Sequence, residues 1–325
     1  MSLTNADHAI AVEELRKEYG AKHALASVDL TVPRATVQAV LGPNGAGKTT
    51  LVRILATLLR PTAGRAEVAG LDVTRHAGAV RARIGLLGQH AAVDEELSGR
   101  QNLELFGRLY HLGARRAAAR AQELLQRFGL ADTGKKAVTQ YSGGMRRRLD
   151  LAASLIMEPE ILFLDEPTTG LDPRGRTEVW EAVRGLVGGG TTVLLTTQYL
   201  EEADQLADAI VVVDQGRVIA EGTADQLKAG LGADRIDVVV HDAAQLASAA
   251  SVVGMAAKAD DVTTDADRRL VSAPVRDRMA ALTEAVRALD AAGIRAEDIA
   301  LRRPTLNEVF LHLTDDDETK TGAAV

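Results

Sequence analysis

The residues whose chemistry is clearest form the glycine-rich segment Gly42–Thr49. It matches the pattern G-x-x-x-x-G-K-[ST] at every fixed position, follows an apolar run and precedes a helical pattern. In such a loop backbone N–H groups surround a β-phosphate, the lysine contacts the β- and γ-phosphates, and the hydroxyl ligates Mg²⁺. The sequence therefore predicts a nucleoside triphosphate site in which Lys48 is also catalytic and Thr49 also binds the metal. The predicted nucleotide-binding residues of this segment are Gly42, Asn44, Gly45, Gly47, Lys48, Thr49 and Thr50.

Two acidic residues, Asp165 and Glu166, follow the apolar run Ile161–Leu164. Apolar residues bury a strand, so we expect its carboxyl end to project toward the phosphates. Asp165 would then hold Mg²⁺, directly or through the groups that bind it. Glu166 would polarise the attacking water, because the next residue at a strand end points elsewhere and is free of the metal. Alone, the pair is an acidic turn before Pro167, and the phosphate loop upstream favours the catalytic interpretation.

Ser142, Gly143 and Gly144 begin the helical run Met145–Met157. Serine is a good N-cap, but two adjacent glycines cost helix stability, so a second reason for them is expected. Bare N–H groups and a hydroxyl at a helix N-terminus bind a γ-phosphate well. One chain cannot easily offer both this site and its own phosphate loop to one ATP. We therefore predict an isologous dimer in which each chain completes the ATP site of the other.

Three further residues fit around these motifs. Gln89 closes the strand Ile84–Leu87 and would reach Mg²⁺ and the attacking water, which makes it a catalytic and metal-binding candidate. Asp172 follows Glu166 closely and could touch the phosphate loop of the opposite subunit. Tyr19 would precede the first strand pair and could stack on adenine, although a packing role is nearly as well supported.

The elements that must position these residues are alternating short strands and longer helices. Up to about residue 221 this alternation predicts βα units on a largely parallel sheet, interrupted by a helical insert at about 95–157. We expect a nucleotide-binding domain at 1–228. The buried strands predicted in it are Val37–Leu41, Ile84–Leu87, Ile161–Leu164 and Val193–Thr196, and a helix of the insert is predicted at Ala118–Leu130.

A joint at Gly230–Ala233 separates this part from a second pattern of strands and helices. The order predicts a βαββαβ domain of ferredoxin-like type at 234–314, followed by a disordered tail at 315–325. We expect this accessory domain to regulate hydrolysis, brace the dimer or contact a partner. Its predicted elements are Ile236–Val240, Ala243–Ala250, Leu270–Ala273, Ala280–Ala291, Ile294–Leu301 and Leu306–Leu313.

Composition narrows the functional class. The net charge of −7 and pI of about 5.6 do not favour a nucleic-acid groove, and the absence of cysteine excludes disulfides and thiol chemistry. No apolar run approaches the roughly 20 residues that cross a bilayer, and Met1–His8 lacks the pattern of a secretion signal. We expect a soluble cytosolic chain whose membrane role depends on a partner.

Together these residues resemble the ATP-binding subunit of an ABC transporter. The resemblance covers about residues 10–221 and implies an α/β P-loop ATPase core with an α-helical subdomain, plus the small C-terminal α+β domain. It implies ATP and Mg²⁺ as cofactors, and a homodimer that closes on ATP and drives an integral-membrane permease from the cytoplasmic face of the membrane. In that family the permease docks between core and insert, here near Gln89. The matching positions are Tyr19, Gly42–Thr49, Gln89, Tyr141–Met145, Ile161–Glu166 and Asp172.

Finer features resemble one branch, the daunorubicin-resistance ATP-binding proteins, which work with a separate ABC-2 type permease to export antibiotics and other amphipathic compounds. These features are the continuation Met145–Leu155, the segment Thr196–Asp204 and the closing motif Arg302–Leu311. Gln198 stands where most ABC ATPases place a histidine that contacts the γ-phosphate. We expect Glu166 to act as the base and Gln198, a catalytic candidate, only to position the phosphate.

Two alternatives remain at this point. The same permease type could export a polysaccharide, a lipid or an ion. Less favoured is a soluble ATP-driven switch on ribosomes or nucleic acid, because such relatives usually carry two ATPase cassettes or a long coiled coil between the motifs.

Overall fold

The computed structural model describes residues 8–89, 92–133, 136–230, 234–303 and 305–310. The chain divides into two compact units, up to Ala224 and from Asp225 onward. Most of the predicted joint, at 231–233, and the whole predicted tail at 315–325 lie outside the described residues. In the described part, no helix combines the length and the apolar character that a membrane span requires.

The first unit is built on a ten-stranded sheet in the order β5-β4-β1-β2-β10-β9-β3-β8-β7-β6. Five neighbouring strands, β9, β3, β8, β7 and β6, run parallel. The strands are β1 His8–Tyr19, β2 Lys22–Pro33, β3 Val37–Leu41, β4 Ala63–Val68, β5 Leu71–Asp72, β6 Ile84–Leu87, β7 Ile161–Asp165, β8 Thr192–Thr197, β9 Ala209–Asp214 and β10 Arg217–Gly222.

The parallel half of the sheet carries all four strands that the sequence predicts. The other half differs from the predicted βα pattern, because β1 pairs antiparallel with both β2 and β4, and β10 pairs antiparallel with β9. The reason is a tight turn: Gly20 adopts a positive φ of 60° and returns the chain directly from β1 to β2. Tyr19 therefore ends β1, and its predicted place before the first strand pair is wrong.

Helices α3 (Gly99–Leu109), α4 (Ala114–Arg127) and α5 (Gly143–Ser154) occupy the predicted insert. A capping box of Ser98 and Gln101 starts α3. The predicted helix Ala118–Leu130 ends earlier, because Gly129 adopts a positive φ of 63° and closes α4. The helices are α1 Lys48–Leu55, α2 Ala77–Arg81, α3 Gly99–Leu109, α4 Ala114–Arg127, α5 Gly143–Ser154, α6 Pro173–Val187, α7 Leu200–Leu206, α8 Ala224–Gly230, α9 Leu246–Ala257 and α10 Arg278–Ala291.

The second unit follows the strand–helix–strand–strand–helix–strand order that the sequence predicts. Its sheet has the order β12-β13-β11-β14, with every pair antiparallel. Alternate residues of the central strand, Ile236, Val238 and Val240, are buried in one cluster with side chains of α9 and α10. The strands are β11 Arg235–Val240, β12 Thr263–Asp265, β13 Leu270–Pro274 and β14 Ala296–Arg302, and residues 306–310 are helical.

Candidate nucleotide site

The phosphate loop joins β3 to α1 in a backbone conformation that leaves no room for a side chain at Gly42 or Gly47. A Cβ on Gly42 would lie 2.2 Å from the carbonyl oxygen of Val213, and a Cβ on Gly47 would lie 2.5 Å from that of Ala24. Gly47 also has a φ of 109°, and it precedes the first residue of α1. Gly45, with a φ of 88°, has open space where its side chain would be. Gly42 and Gly47 therefore let the loop pack closely on neighbouring backbone, and this packing places the loop at the N-terminus of a helix, where N–H groups can bind an anion.

Lys48 is buried at the centre of this loop. Its ammonium group donates to the carbonyl oxygens of Gly42 at 2.7 Å and Pro43 at 3.0 Å, and it lies 3.6 Å from Oε1 of Glu166. Burial lowers the pKa of Lys48, while the charges of Glu166 and Asp165 oppose the shift. The ammonium is thus held where the loop meets the end of β7, where a phosphate group would contact it.

Thr49, Asp165 and Gln89 come together as the sequence predicts for the metal site. The hydroxyl of Thr49 donates to Oδ1 of Asp165 at 3.2 Å, and the side-chain amide of Gln89 donates to Oγ1 of Thr49 at 3.4 Å. The same Asp165 oxygen accepts a hydrogen bond from Thr196 at 2.6 Å. A hydroxyl, a carboxylate and an amide are the oxygen donors that Mg²⁺ takes beside substrate phosphates, so these residues fit that ion.

Thr196 is a candidate site residue that motif reasoning missed. It is the last residue but one of β8, and the parallel register pairs it directly with Asp165 of β7. Its hydroxyl holds the carboxylate in place, and its carbonyl oxygen accepts the backbone N–H of Glu166 at 3.1 Å. A polar residue near the end of a buried strand, beside the strand that carries Asp165, is the signal that could have identified it.

Glu166 directly follows β7 and has a φ of 50°, in the left-handed region that few non-glycine residues adopt. Its side chain lies between two groups, since Oε1 approaches Lys48 and Oε2 accepts a hydrogen bond from Thr169 at 3.3 Å. Backbone strain of this kind clusters at functional sites, where surrounding contacts impose it. The turn aims Glu166 away from the strand axis and leaves Asp165 beside Thr49.

A cavity of about 580 Å³ connects several of the predicted residues. Asn44 of the phosphate loop, Gln89 and Glu166 line it, and so do Gln198, which follows β8, and Gly143, the first residue of α5. One chain therefore brings its own phosphate loop and the start of its own α5 to the same cleft.

The start of α5 has the N-cap that the sequence predicts, because the hydroxyl of Ser142 accepts the N–H of Met145 at 3.2 Å. A Cβ on Gly144 would lie 3.4 Å from the Cα of Gly175 in α6, an ordinary van der Waals contact, so packing does not itself require a glycine there. Ser142 and Gly143 are exposed, so their polar groups face solvent and are free of close packing on their outer side.

The remaining predicted residues lie around this centre. Asp172 is the N-cap of α6 and accepts the N–H of Gly175 at 2.8 Å. Thr50 lies in the first turn of α1. Tyr19 is 51% exposed at the end of β1, with the ammonium of Lys17 5.2 Å from its ring centre. A second cavity, of about 670 Å³, is lined by both Glu18 and Gly45, so this strand end borders a space that reaches the phosphate loop.

Comparison with known proteins places these motifs in a family. Residues 25–169 match the family model described as ABC transporter. The chain is 73% identical to the daunorubicin resistance ATP-binding protein DrrA3 of Streptomyces coeruleorubidus, over 98% of this chain and 100% of the relative. It is 48% identical to the daunorubicin/doxorubicin resistance ATP-binding protein DrrA of Streptomyces peucetius, over 98% of each chain.

The fold has solved neighbours as well. The structure of cbiO1 from Clostridium perfringens, part of the ABC transporter complex cbiONQ, covers 69% of this chain and 91% of its own, with 30% identity and a TM-score of 0.64.

Proposed function

This chain belongs to the daunorubicin-resistance ATP-binding proteins of the ABC transporter family, and we propose that it powers drug export through a separate ABC-2 type permease. It is an ATP-hydrolysing subunit, as the family and its motifs imply. The observation that carries the export proposal is the 73% identity to a daunorubicin resistance protein over 98% of this chain. That match extends through the second unit, beyond the residues that all ABC ATPases share.

The site geometry supports a direct mechanism of hydrolysis. The bare N–H groups of the loop and the ammonium of Lys48 bind the phosphates, and Thr49, Asp165 and Gln89 would hold Mg²⁺. That ion, when bound, neutralises charge that develops on the phosphate oxygens. Glu166 accepts a proton from the attacking water, and the amide of Gln198, in the same cleft, orients the phosphate or the water.

Dimer closure is the proposed mechanical step. The exposed Ser142 and Gly143 would meet the γ-phosphate of ATP bound to the opposite chain, and Asp172 would stand beside them at the start of α6. ATP bound between two chains stabilises the closed dimer, and hydrolysis removes that stabilisation, so the cycle alternates two states of an attached permease.

A groove on the first unit fits the permease contact. Its volume is about 410 Å³, and it is lined by β6, by Gly88 next to Gln89, and by Phe106 of α3. Two apolar side chains on its rim, Leu58 and Tyr110, are 61% and 53% exposed. Exposed apolar residues around a groove are typical of a binding surface for another protein. We propose that a cytoplasmic helix of the permease occupies it, which places the chain at the inner face of the membrane.

The first test is purification of the tagged chain from gently solubilised native membranes. We expect a multi-span membrane protein to co-purify at about one per ATPase chain. Recovery with ribosomes or nucleic acid alone would contradict the transport proposal and favour the switch.

The second test measures daunorubicin efflux from cells that express the chain with that permease. Glu166→Gln should abolish efflux and trap an ATP-bound dimer detectable by light scattering. Glu160→Gln, which changes an exposed glutamate at the other end of the same strand, should leave both unchanged. A monomeric Glu166→Gln protein at saturating ATP would contradict dimer closure. Efflux of another compound class, without efflux of daunorubicin, would contradict the proposed drug substrate.

A further inference from the structure

We propose that Arg147, on helix α5, is a positioning residue that holds the backbones of Gln89 and Glu166 in their catalytic places. The inference rests on the proposed ATP hydrolysis and adds to it a residue outside the recognised motif positions. The guanidinium of Arg147 reaches from α5 to two separate catalytic segments, the start of the loop that carries Gln89 and the end of β7.

Four hydrogen bonds make this bridge, and all four acceptors are backbone carbonyls. Nε donates to Pro167 at 2.7 Å and Nη1 to Gly88 at 2.8 Å. Nη2 donates to Glu166 at 3.1 Å and to Asp165 at 3.3 Å. One planar guanidinium thus binds two segments. It binds the carbonyl oxygens of Asp165, Glu166 and Pro167 at the end of β7, and that of Gly88, the residue before Gln89. At the left-handed turn, Arg147 therefore binds the carbonyl oxygen of Glu166, while Thr196 accepts the N–H of the same residue.

Only arginine supplies this arrangement. A guanidinium offers five N–H donors in a rigid fork, and four acceptors in two directions use that fork. A lysine ammonium at the same site would keep the charge but concentrate its donors at one point, so it could satisfy one segment and leave the other unbound. Burial lowers the pKa of Arg147, whereas the charges of Asp150, Glu202 and Asp165 oppose the shift. The side chain stays charged because arginine does not deprotonate in proteins.

Asp150, on the same helix, binds the backbone on the other side of Gln89. It lies one turn beyond Arg147, is 3% exposed, and accepts the backbone N–H of Ala92 at 2.9 Å through Oδ1. Arg147 binds the oxygen of Gly88 before Gln89, and Asp150 binds the nitrogen of Ala92 after it. Side chains of helix α5 therefore bind the backbone before and after Gln89, as well as the end of β7.

These contacts link the helix to catalysis. The N-terminus of α5 carries Ser142, which would meet the ATP of the opposite chain, and its next turn carries Arg147. Because Arg147 lies on α5, a displacement of α5 would shift the backbone carbonyls that Arg147 binds at Glu166 and before Gln89. A misplacement of catalytic groups by about 1 Å can lower the rate on the order of 10²-fold. Closure at one ATP site is thus connected to the catalytic geometry of the other.

The test compares Arg147→Lys with Arg148→Lys in the full-length chain. Arg148 is the matched control, because its guanidinium also bonds a backbone carbonyl, that of Phe128 at 2.9 Å, and pairs with Glu178 away from the catalytic segments. We expect Arg147→Lys to lower kcat about tenfold or more at an unchanged Kd for ATP, since the phosphate loop is untouched. Arg148→Lys should keep kcat within about twofold.

Amide hydrogen exchange gives a second readout that does not need hydrolysis. Exchange in peptides that cover 84–89 and 165–169 should rise about tenfold in Arg147→Lys and stay at the wild-type level in Arg148→Lys. Wild-type exchange and wild-type kcat in Arg147→Lys would overturn the inference. So would a parallel loss of ATP binding and thermal stability, which marks a merely structural role. An inactive wild-type chain would instead refute the proposed function, while the exchange result still decides whether Arg147 holds the two segments.

Discussion

At the scale of single residues, the catalytic centre depends on backbone placement as much as on side-chain type. Motif spacing predicted Lys48, Thr49, Asp165 and Gln89, and the structure brings them together. It did not predict Arg147, because an arginine on a helix is ordinarily a solvated surface residue. Its partners are carbonyl oxygens, which leave no trace in the residue types of the segments they belong to.

Thr49 allows a direct test of the metal site. Thr49→Val removes the hydroxyl that bonds Asp165 but keeps the shape of the side chain, so we expect the tightening of ATP binding by Mg²⁺ to fall about tenfold or more. Thr49→Ser should retain it. Calorimetric titration of ATP with Mg²⁺ and with chelator measures the difference. An equal Mg²⁺ effect in the valine variant would exclude Thr49 as a ligand.

Gln198 should add no ionisation of its own to the pH profile, whereas a histidine at this position would titrate. An amide has no pKa in this range, so Gln198→Ala should lower kcat about tenfold at every pH through loss of a hydrogen bond to charged phosphate. Gln198→His should introduce a step near the ordinary imidazole pKa of about 6.5. The measurement is kcat from pH 5.5 to 8.5. A Gln198→Ala protein as fast as wild type would remove the positioning role.

At the scale of elements, the parallel strands were predictable because both their faces are buried and their sequences are continuous apolar runs. The predicted Val37–Leu41 and Ile84–Leu87 are β3 and β6 as observed. Strands β1 and β2 are twelve residues each, with mixed exposed and buried positions and register shifts between them. Their pairing depends on the turn at Gly20, and an irregular register weakens the two-residue alternation that identifies a strand.

The closing motif of the second unit has an element-scale explanation. Thr305 caps the helix at 306–310 by accepting the N–H of Glu308, and the carboxylate of Glu308 accepts the N–H of Thr305 at 2.8 Å, which is a capping box. Arg302, at the end of β14, donates to both oxygens of Glu308 at 2.8 and 2.9 Å and also pairs with Asp237. The motif thus fastens a helix to the end of the sheet.

Low pH should weaken the interactions of Glu308 with Arg302 and Thr305 in a defined pH range. Burial would raise the pKa of Glu308, but hydrogen bonds from Arg302 and Thr305 outweigh it and lower the pKa from 4.5 to about 2. The carboxylate therefore stabilises the fold fully above about pH 4.5, and this contribution is lost as the pH falls toward 2. We expect Glu308→Gln to be less stable than wild type by a constant amount from pH 7 to 5, with the gap narrowing below pH 4.5. Urea unfolding followed by circular dichroism measures it.

The contribution of the Thr305 N-cap to stability can be measured separately from that of the Glu308 charge. Thr305→Ala should cost about 1 kcal/mol of unfolding free energy at pH 7, the usual value for a lost N-cap. Thr283→Ala is the control, because Thr283 lies inside α10 and bonds only the carbonyl of Met279 in its own helix. Equal stabilities of the two variants would contradict the capping role.

At the scale of the whole molecule, two arrangements of the ATP site differ in which chain completes it. The motif order predicts that the partner chain supplies Ser142 and Gly143, since one chain cannot easily present both sites to one ATP. The structure brings Gly143 and Asn44 of the same chain to one cleft, so a site completed within a chain is a specific alternative. The two arrangements differ in what happens when inactive chains are mixed.

Mixing Lys48→Ala with Ser142→Arg decides between them. Each variant alone should be inactive, the first through its phosphate loop and the second through a blocked γ-phosphate contact. In a mixed dimer whose sites are shared between the chains, one site combines the altered phosphate loop with the altered residue 142. The other site combines an intact loop with an intact Ser142. Half of randomly formed dimers are mixed and each has one intact site of two, so the mixture should recover about a quarter of the wild-type ATPase rate. Sites completed within one chain would leave every site damaged, and mixing would then restore nothing. Addition of Glu166→Gln to the Ser142→Arg chain is the control, because it inactivates the one rebuilt site and should abolish the recovery.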